Sequence, residues 1–321
     1  MEARAGIALT LLLLPGAARS QDPPPPPLPG KAAEPHAEDA ADLQDPAAAL
    51  RHLLTGDFVA VERHRRRPGE TGEGHIRAWE APGGRIARLY WSEGGGRRIY
   101  AGTDVLEIGP DRRVRHWWFG SRGDEAYAEG TWEPEARRLV LVVRDGDGDP
   151  DRRYTYEFAA DGRSFHFQND HYGGGGYRYE MDADYRRAPL DLPADLRVRR
   201  LRGDDVLERY TGAFEGRPEG FSRGRLLFGD WLLLETEGGH AVAEERSLGR
   251  GLRLWWWRAG EPLARFHGRE KGRSVVWTEE GGAGRLRIDR LLPRGWSTVL
   301  QDASGRVLEP RRDYLEAAGA R

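Results

Sequence analysis

The chain has 321 residues, with 50 Lys and Arg against 52 Asp and Glu, a formal net charge of −2, and no cysteine. Near-neutrality excludes a general electrostatic attraction to nucleic acid or anionic membrane, and the lack of Cys excludes disulfides and thiolate chemistry. The core must therefore be held by packing alone, with eleven Trp and eleven Tyr supplying much of it, because aromatic side chains bury the most area per residue.

Residues 1–20 read as a secretory signal peptide. Arg4 gives a short positive region, Ala5 to Leu14 is apolar, and Ala18 and Ser20 are the small residues before a cut ahead of Gln21. The apolar run is half of the roughly twenty residues that a spanning helix needs. The expectation is an exported protein, periplasmic or secreted, soluble after cleavage and without membrane insertion. Residues 21–44 form a Pro/Ala-rich linker, in which Pro23 to Pro27 extends as polyproline II rather than packing. Asp45 as N-cap with Pro46 in the first turn predicts a short helix ending at Leu54.

Beyond Leu54 the periodicity changes to two. Tyr154, Tyr156 and Phe158 alternate with polar residues, as do Phe165 and Phe167, and then Tyr177, Tyr179 and Met181. Such alternation marks strands with one buried face. Gly109-Pro110-Asp111 and Asp161-Gly162 supply the turns. Ten sequential strands fit between Phe58 and Tyr185, and no long amphipathic helix interrupts them. Pro189 and Pro193 stop the last one.

The pattern then repeats. Thr55-Gly56-Asp57-Phe58 returns as Thr211-Gly212-Ala213-Phe214, and Arg115-His116-Trp117-Trp118-Phe119 as Arg253-Leu254-Trp255-Trp256-Trp257. In both copies a glycine, Gly130 or Gly268, follows the first Trp by thirteen residues. Asp184-Tyr185 is echoed by Asp313-Tyr314. The offset between copies falls from 156 residues at the first of these pairs to 129 at the last, as expected of two copies of one fold with shorter loops in the second. The modules are residues 45–187 and 206–318, joined by a linker, 188–205. Periodicity alone marks eight strands in the second. Closing each sheet on itself removes its edges, so the predicted fold is all-β, two tandem antiparallel up-and-down barrels.

A helical turn leading into Gly-x-aromatic at the first strand resembles the opening of lipocalin-type (calycin) barrels. Gly102-Thr103-Asp104, Val114 to Arg122, Gly130-Thr131-Trp132 and Leu139 resemble the bacterial family called domain of unknown function 1579, over roughly Leu53 to Arg187. Phe58 stands where calycins usually carry Trp, and Ser121 where that family often carries an acid. The resemblance implies a calycin-like fold and no particular activity. The second module is a diverged internal repeat of the first.

Few constellations carry chemistry. Asp145, Asp147 and Asp149 alternate as calcium ligands would, but Pro150 stands where the loop needs Gly and Tyr156 where it needs the closing Glu. The stretch reads as a solvated hairpin loop. Arg122-Gly123-Asp124 and Arg202-Gly203-Asp204 spell an adhesion tripeptide that this composition explains by itself. His64-Arg65-Arg66-Arg67 reads as a mixed-charge strand end. Gly173 to Gly176 is a hairpin turn, because no helix follows to make a phosphate cradle. The scattered His residues offer no strong metal or haem ligand, and no cofactor is expected.

The Trp-rich strands carry aromatics on both faces, with Val114, His116 and Trp118 on one and Arg115, Trp117 and Phe119 on the other. A barrel strand has one inward face, so the other packs against the partner module or the N-terminal helix, or forms a binding surface. Packing is the preferred reading. Trp118 and Trp256 are expected to be buried at equivalent positions. The leading functional expectation is non-catalytic binding of a small apolar or amphipathic ligand in a barrel lumen, with Trp118, Tyr156, Phe167, Tyr179 and Trp256 as candidate contacts. The alternatives are a structural or interaction protein with aromatic-filled barrels, and an enzyme with a lumen site. Oligomeric state is left open.

Overall fold

The computed structural model describes residues 45–316, apart from 66–70, 192–205, 228–230, 246–250 and a few one- or two-residue stretches in loops. The expected signal peptide and first linker, most of the expected second linker, Arg66 and Arg67, and most of both adhesion-like tripeptides lie outside the described residues.

Asp45 caps α1 (Pro46–Leu54), its carboxylate accepting from the Ala47 amide at 2.9 Å. Leu50, Leu53 and Leu54 are buried against Phe58, Ile86 and Leu106, so the helix closes one end of a barrel. That barrel is built from β1 (Gly56–His64), β2 (Thr71–Ala81), β3 (Arg85–Gly94), β4 (Arg97–Ile108), β5 (Arg113–Gly120), β6 (Glu125–Glu133), β7 (Arg138–Arg144), β8 (Pro150–Phe158), β9 (Ser164–Gly173) and β10 (Gly176–Arg187). Each strand pairs with the next, and β10 pairs antiparallel with β1 to close the sheet.

The second barrel repeats the order with β11 (Gly212–Arg217), β12 (Gly220–Leu227), β13 (Trp231–Thr236), β14 (Gly239–Glu245), β15 (Leu252–Arg258), β16 (Ala264–Lys271), β17 (Ser274–Glu279), β18 (Leu286–Leu292), β19 (Gly295–Gln301) and β20 (Val307–Glu316). A 3-10 turn, Val206–Tyr210, takes the place of α1, burying Val206, Leu207 and Tyr210 in that barrel's core. Both domains are thus closed ten-stranded up-and-down barrels. Two strands beyond the eight expected from periodicity, β11 and β20, complete the second one. β11 is a six-residue strand broken by Gly and Glu, and β20 carries Pro310 among charges, so neither shows clean alternation.

The two Trp-rich strands, β5 and β15, answer the question of faces. Trp118 and Trp256 point into their barrels at equivalent positions. Both are half-buried rather than fully buried, because each stands in the lumen away from the tightly packed layers. Trp117, Phe119, Trp255 and Trp257 point outward and meet between the barrels, with Leu89, Val105, Trp231, Leu233 and Val242 in one apolar cluster. Phe119 lies 5.0 Å from Trp231 and 5.1 Å from Trp255, and Trp117 lies 5.4 Å from Trp257. Polar bonds ring this cluster. Trp79 Nε1 donates to Glu235 at 2.6 Å, Trp231 Nε1 to the Gly120 carbonyl at 3.1 Å, and Arg85 to the Arg258 and Glu261 carbonyls.

Candidate functional site in the barrel lumens

The first barrel is filled at its α1 end. Trp132, Phe158, Phe165 and Tyr185 pack there in contact with the helix cluster. The next layer holds a buried ion pair: Arg88 donates through Nε and Nη2 to the two oxygens of Asp104, both at 2.7 Å. Arg88 Nη2 also reaches Tyr156 Oη at 3.1 Å, and His116 Nε2 lies 3.2 Å from Asp104. Burial works against the Asp104 charge, but Arg88 and His116 outweigh it and hold the carboxyl below its ordinary range. Above this, Glu62 is fully buried and accepts from Tyr90 and Ser92, each at 2.6 Å. Burial would raise its pKa, yet the bonds from His64, Ser92 and Tyr90 win and lower it. Gly72 and Gly74 face Glu62, and a Cβ at Gly74 would strike its carboxylate. Glu62 is therefore a satisfied, ionised structural acid, not a raised general acid.

The open part of this lumen is aromatic. Trp118 donates to Tyr100 Oη at 2.9 Å and Asp124 at 3.1 Å, lies 5.7 Å from Tyr90, and covers Gly102, where there is no room for a Cβ. Phe167 packs on Tyr156 at 4.9 Å and on Tyr154 at 6.0 Å. Among the sequence candidates, Trp118, Tyr156 and Phe167 thus share one lumen.

Tyr179 does not join them. A bulge between Tyr179 and Met181 shifts the register, so Met181 opposes Asn169 while Tyr179 opposes Asp170 on the outer face. One extra residue reverses the facing of everything beyond it. Tyr179 is 38% exposed and donates to the Arg63 carbonyl at 3.0 Å and to Asp182.

The Asp-rich loop is the β7–β8 hairpin turn. Asp145 Oδ1 accepts from the amides of Asp147 and Asp149 at 3.0 and 2.9 Å, which caps the turn. Three potential metal ligands converge elsewhere, at His166, Asp182 and Asp184 on the outer face. Arg63 already bridges both carboxylates there, and His166 Nδ1 lies 2.8 Å from Asp184.

The second barrel differs. A cavity of about 80 Å³ opens in its lumen, walled by Leu234, Ala241, Trp256, Trp296 and Tyr314, with Thr298, Arg258 and Arg312 also lining it. On β18 the alternation is inverted: Arg287 and Asp289 are buried, while Leu286 and Ile288 are only partly so. Asp289 accepts from Trp277 Nε1 at 2.8 Å and Tyr210 Oη at 3.0 Å through one oxygen, and from Arg287 Nε at 2.9 Å through the other. The Arg287 guanidinium lies 4.7 Å from the Trp256 ring centre and 5.5 Å from that of Trp296. Burial opposes its charge, but Asp289 outweighs burial and raises its pKa. Around the cavity, Arg312 pairs with Glu237, and Arg258 with Glu309. Trp256 was legible as a lumen candidate. Arg287 was not singled out, although Arg-x-Asp in a strand is the signal of an ion pair sharing one face.

Fold and lumens together define a tandem protein of two closed ten-stranded antiparallel barrels whose interiors carry different chemistry. No family model matches the chain, and no curated protein matches it. The resemblance to domain of unknown function 1579 rests on the residues quoted above. Among solved structures the chain is similar to one described as "Crystal Structure of Rv2717c from M. tuberculosis", with 13% identity and a TM-score of 0.38, covering 46% of this chain and 100% of that chain. No helix among the described residues is long and apolar enough to cross a membrane.

Proposed function

We propose that the protein is an exported, soluble, non-catalytic binding protein for a small amphipathic ligand, held in the lumen of the second barrel. The observation that carries this reading is the cavity itself. It combines apolar walls with one buried cation, the usual composition of a small-molecule site. Trp256 offers a half-buried ring, Leu234 and Ala241 apolar contact, and Arg287 a fixed polar anchor. The buried carboxylates of both lumens favour binding over acid–base catalysis, because Glu62, Asp104 and Asp289 are consumed by hydrogen bonds and ion pairs.

A scaffold reading has its own support in the filled helix end of the first barrel and the aromatic seam between the barrels. The two readings differ in one measurement. Native mass spectrometry of the protein purified from cells should show a small-molecule adduct. Ala241→Phe, which fills the lumen from β14, a strand that does not border β18, should lose it. An adduct-free wild type would favour the scaffold.

A further inference from the structure

We infer that the second barrel's cavity is a carboxylate site, in which the two terminal nitrogens of Arg287 hold the head of a small organic monoacid. This deepens the binding reading above and rests on it.

The geometry of two arginines separates the barrels. In the first, Arg88 spends Nε and Nη2 on Asp104 at 2.7 Å each, and Nη2 reaches Tyr156 as well. In the second, Asp289 takes only Nε of Arg287. Neither terminal nitrogen of Arg287 donates to protein among the described residues, although its side chain is only 4% exposed and lines the cavity. Asp289 cannot swing round to close the fork, because Trp277 and Tyr210 hold its second oxygen. The flanking rings of Trp256 and Trp296 fix the guanidinium. Buried donors left without acceptors are costly, and a ligand acceptor would satisfy the terminal nitrogens of Arg287.

The chemistry that fits is a planar carboxylate, which matches a guanidinium fork with two parallel bonds. Asp289 already balances the Arg287 charge, so one additional negative charge is favoured over the two of a phosphate. The cavity, about 80 Å³, is roughly half the ~150 Å³ that admits benzene. That leaves room for a head group and a short chain along Leu234, Ala241 and Leu300.

The test follows the indole N–H signals of the full chain by ¹⁵N-correlated NMR during titration with sodium propionate. Propionamide and sodium chloride serve as controls at matched ionic strength. Trp256 and Trp296 signals are assigned by Trp→Phe substitution. Propionate should shift both saturably, and neither control should. Arg287→Lys keeps a cation but loses the fork, and should weaken binding at least about tenfold. Ala241→Phe keeps both members of the ion pair and fills the cavity from β14, which does not border β18; it should abolish the shifts, which keeps the test valid if Arg287→Lys does not fold. Equal shifts with propionamide, shifts that survive Ala241→Phe, or no saturable response to propionate would each overturn the carboxylate assignment. The adduct measurement on purified protein decides separately whether the barrel carries any ligand.

Discussion

Gly130 and Gly268 recur at one position of the repeat, on the sixth strand of each barrel, and packing explains why. A Cβ at Gly130 would fall inside the Val140 carbonyl of the neighbouring strand, and one at Gly268 would come within 2.6 Å of the Trp277 ring. Gly173, by contrast, has open space around it. Gly130→Ala should therefore cost about 1–3 kcal/mol or more, as overpacking does, while Gly173→Ala should stay within about 0.5 kcal/mol. Urea unfolding distinguishes them, and equal effects would contradict the close approach at Gly130.

His240 is a second residue whose surroundings make a prediction. It is buried between the barrels, stacked on Trp257 at 5.0 Å, and neither ring nitrogen is hydrogen-bonded. Burial, and then the Arg85 charge across the interface, push its pKa down from 6.5 to about 3. The unfolded chain takes up the proton first, so the contribution is complete above the unfolded value and is lost as pH falls toward the folded one. Between pH 6.5 and 5 the loss should be about 1.6 kcal/mol, the slope rising from half of ~1.4 kcal/mol per pH unit at 6.5 to nearly all of it at 5. Urea midpoints of wild type and His240→Phe across that range should diverge by this slope. Parallel pH profiles would mean that His240 is not held neutral.

At the scale of elements, legibility followed alternation. β8 and β9 read cleanly because their inward residues are aromatic and their neighbours polar. β13 (Trp231–Thr236) betrayed the interface differently, since Trp-Leu-Leu-Leu is apolar on both faces, and a strand needs that only when both are covered. Three features were hidden. The Tyr179 bulge leaves no mark on the sequence. β18 puts its charges inward and its apolar residues partly outward, opposite to the usual pattern. β20 contains Pro310, which falls in the irregular stretch between the Thr298–Arg312 and Leu300–Glu309 pairs, where the ladder is interrupted. The β7–β8 hairpin offers a check on loop chemistry. Asp145 caps the turn, while no bond by the Asp147 or Asp149 carboxylates is seen among the described residues. Asp145→Ala should cost about 0.5–1.5 kcal/mol, the Asp147→Asn/Asp149→Asn double variant less than about 0.5 kcal/mol, and calcium should not raise the melting temperature. A calcium-dependent rise abolished by the double variant would reverse that view of the loop.

For the whole molecule, the seam between barrels decides how the two copies behave. Domains in one chain move independently unless their interface is large and apolar. Here nine buried apolar side chains form one cluster spanning both barrels, with the Trp79–Glu235, Trp231–Gly120 and Arg85 bonds around it. Arg85 is held against carbonyls and beside Glu107 at 3.5 Å; burial works against its charge and lowers its pKa, and these acceptors offset part of that cost. The barrels should consequently unfold together, in one calorimetric transition. Phe119 sits at the centre, touching Trp231, Trp255 and Trp257, and its side chain contributes nothing to its own barrel's lumen. Phe119→Asp would place a charge among apolar rings, a cost of several kcal/mol that opening the seam relieves. The expected result is two resolved transitions in the variant, with both barrels retaining their far-UV signal at low temperature. Two transitions in the wild type, or a variant that still melts as one unit at an unchanged temperature, would show that the barrels do not stabilise each other through this face.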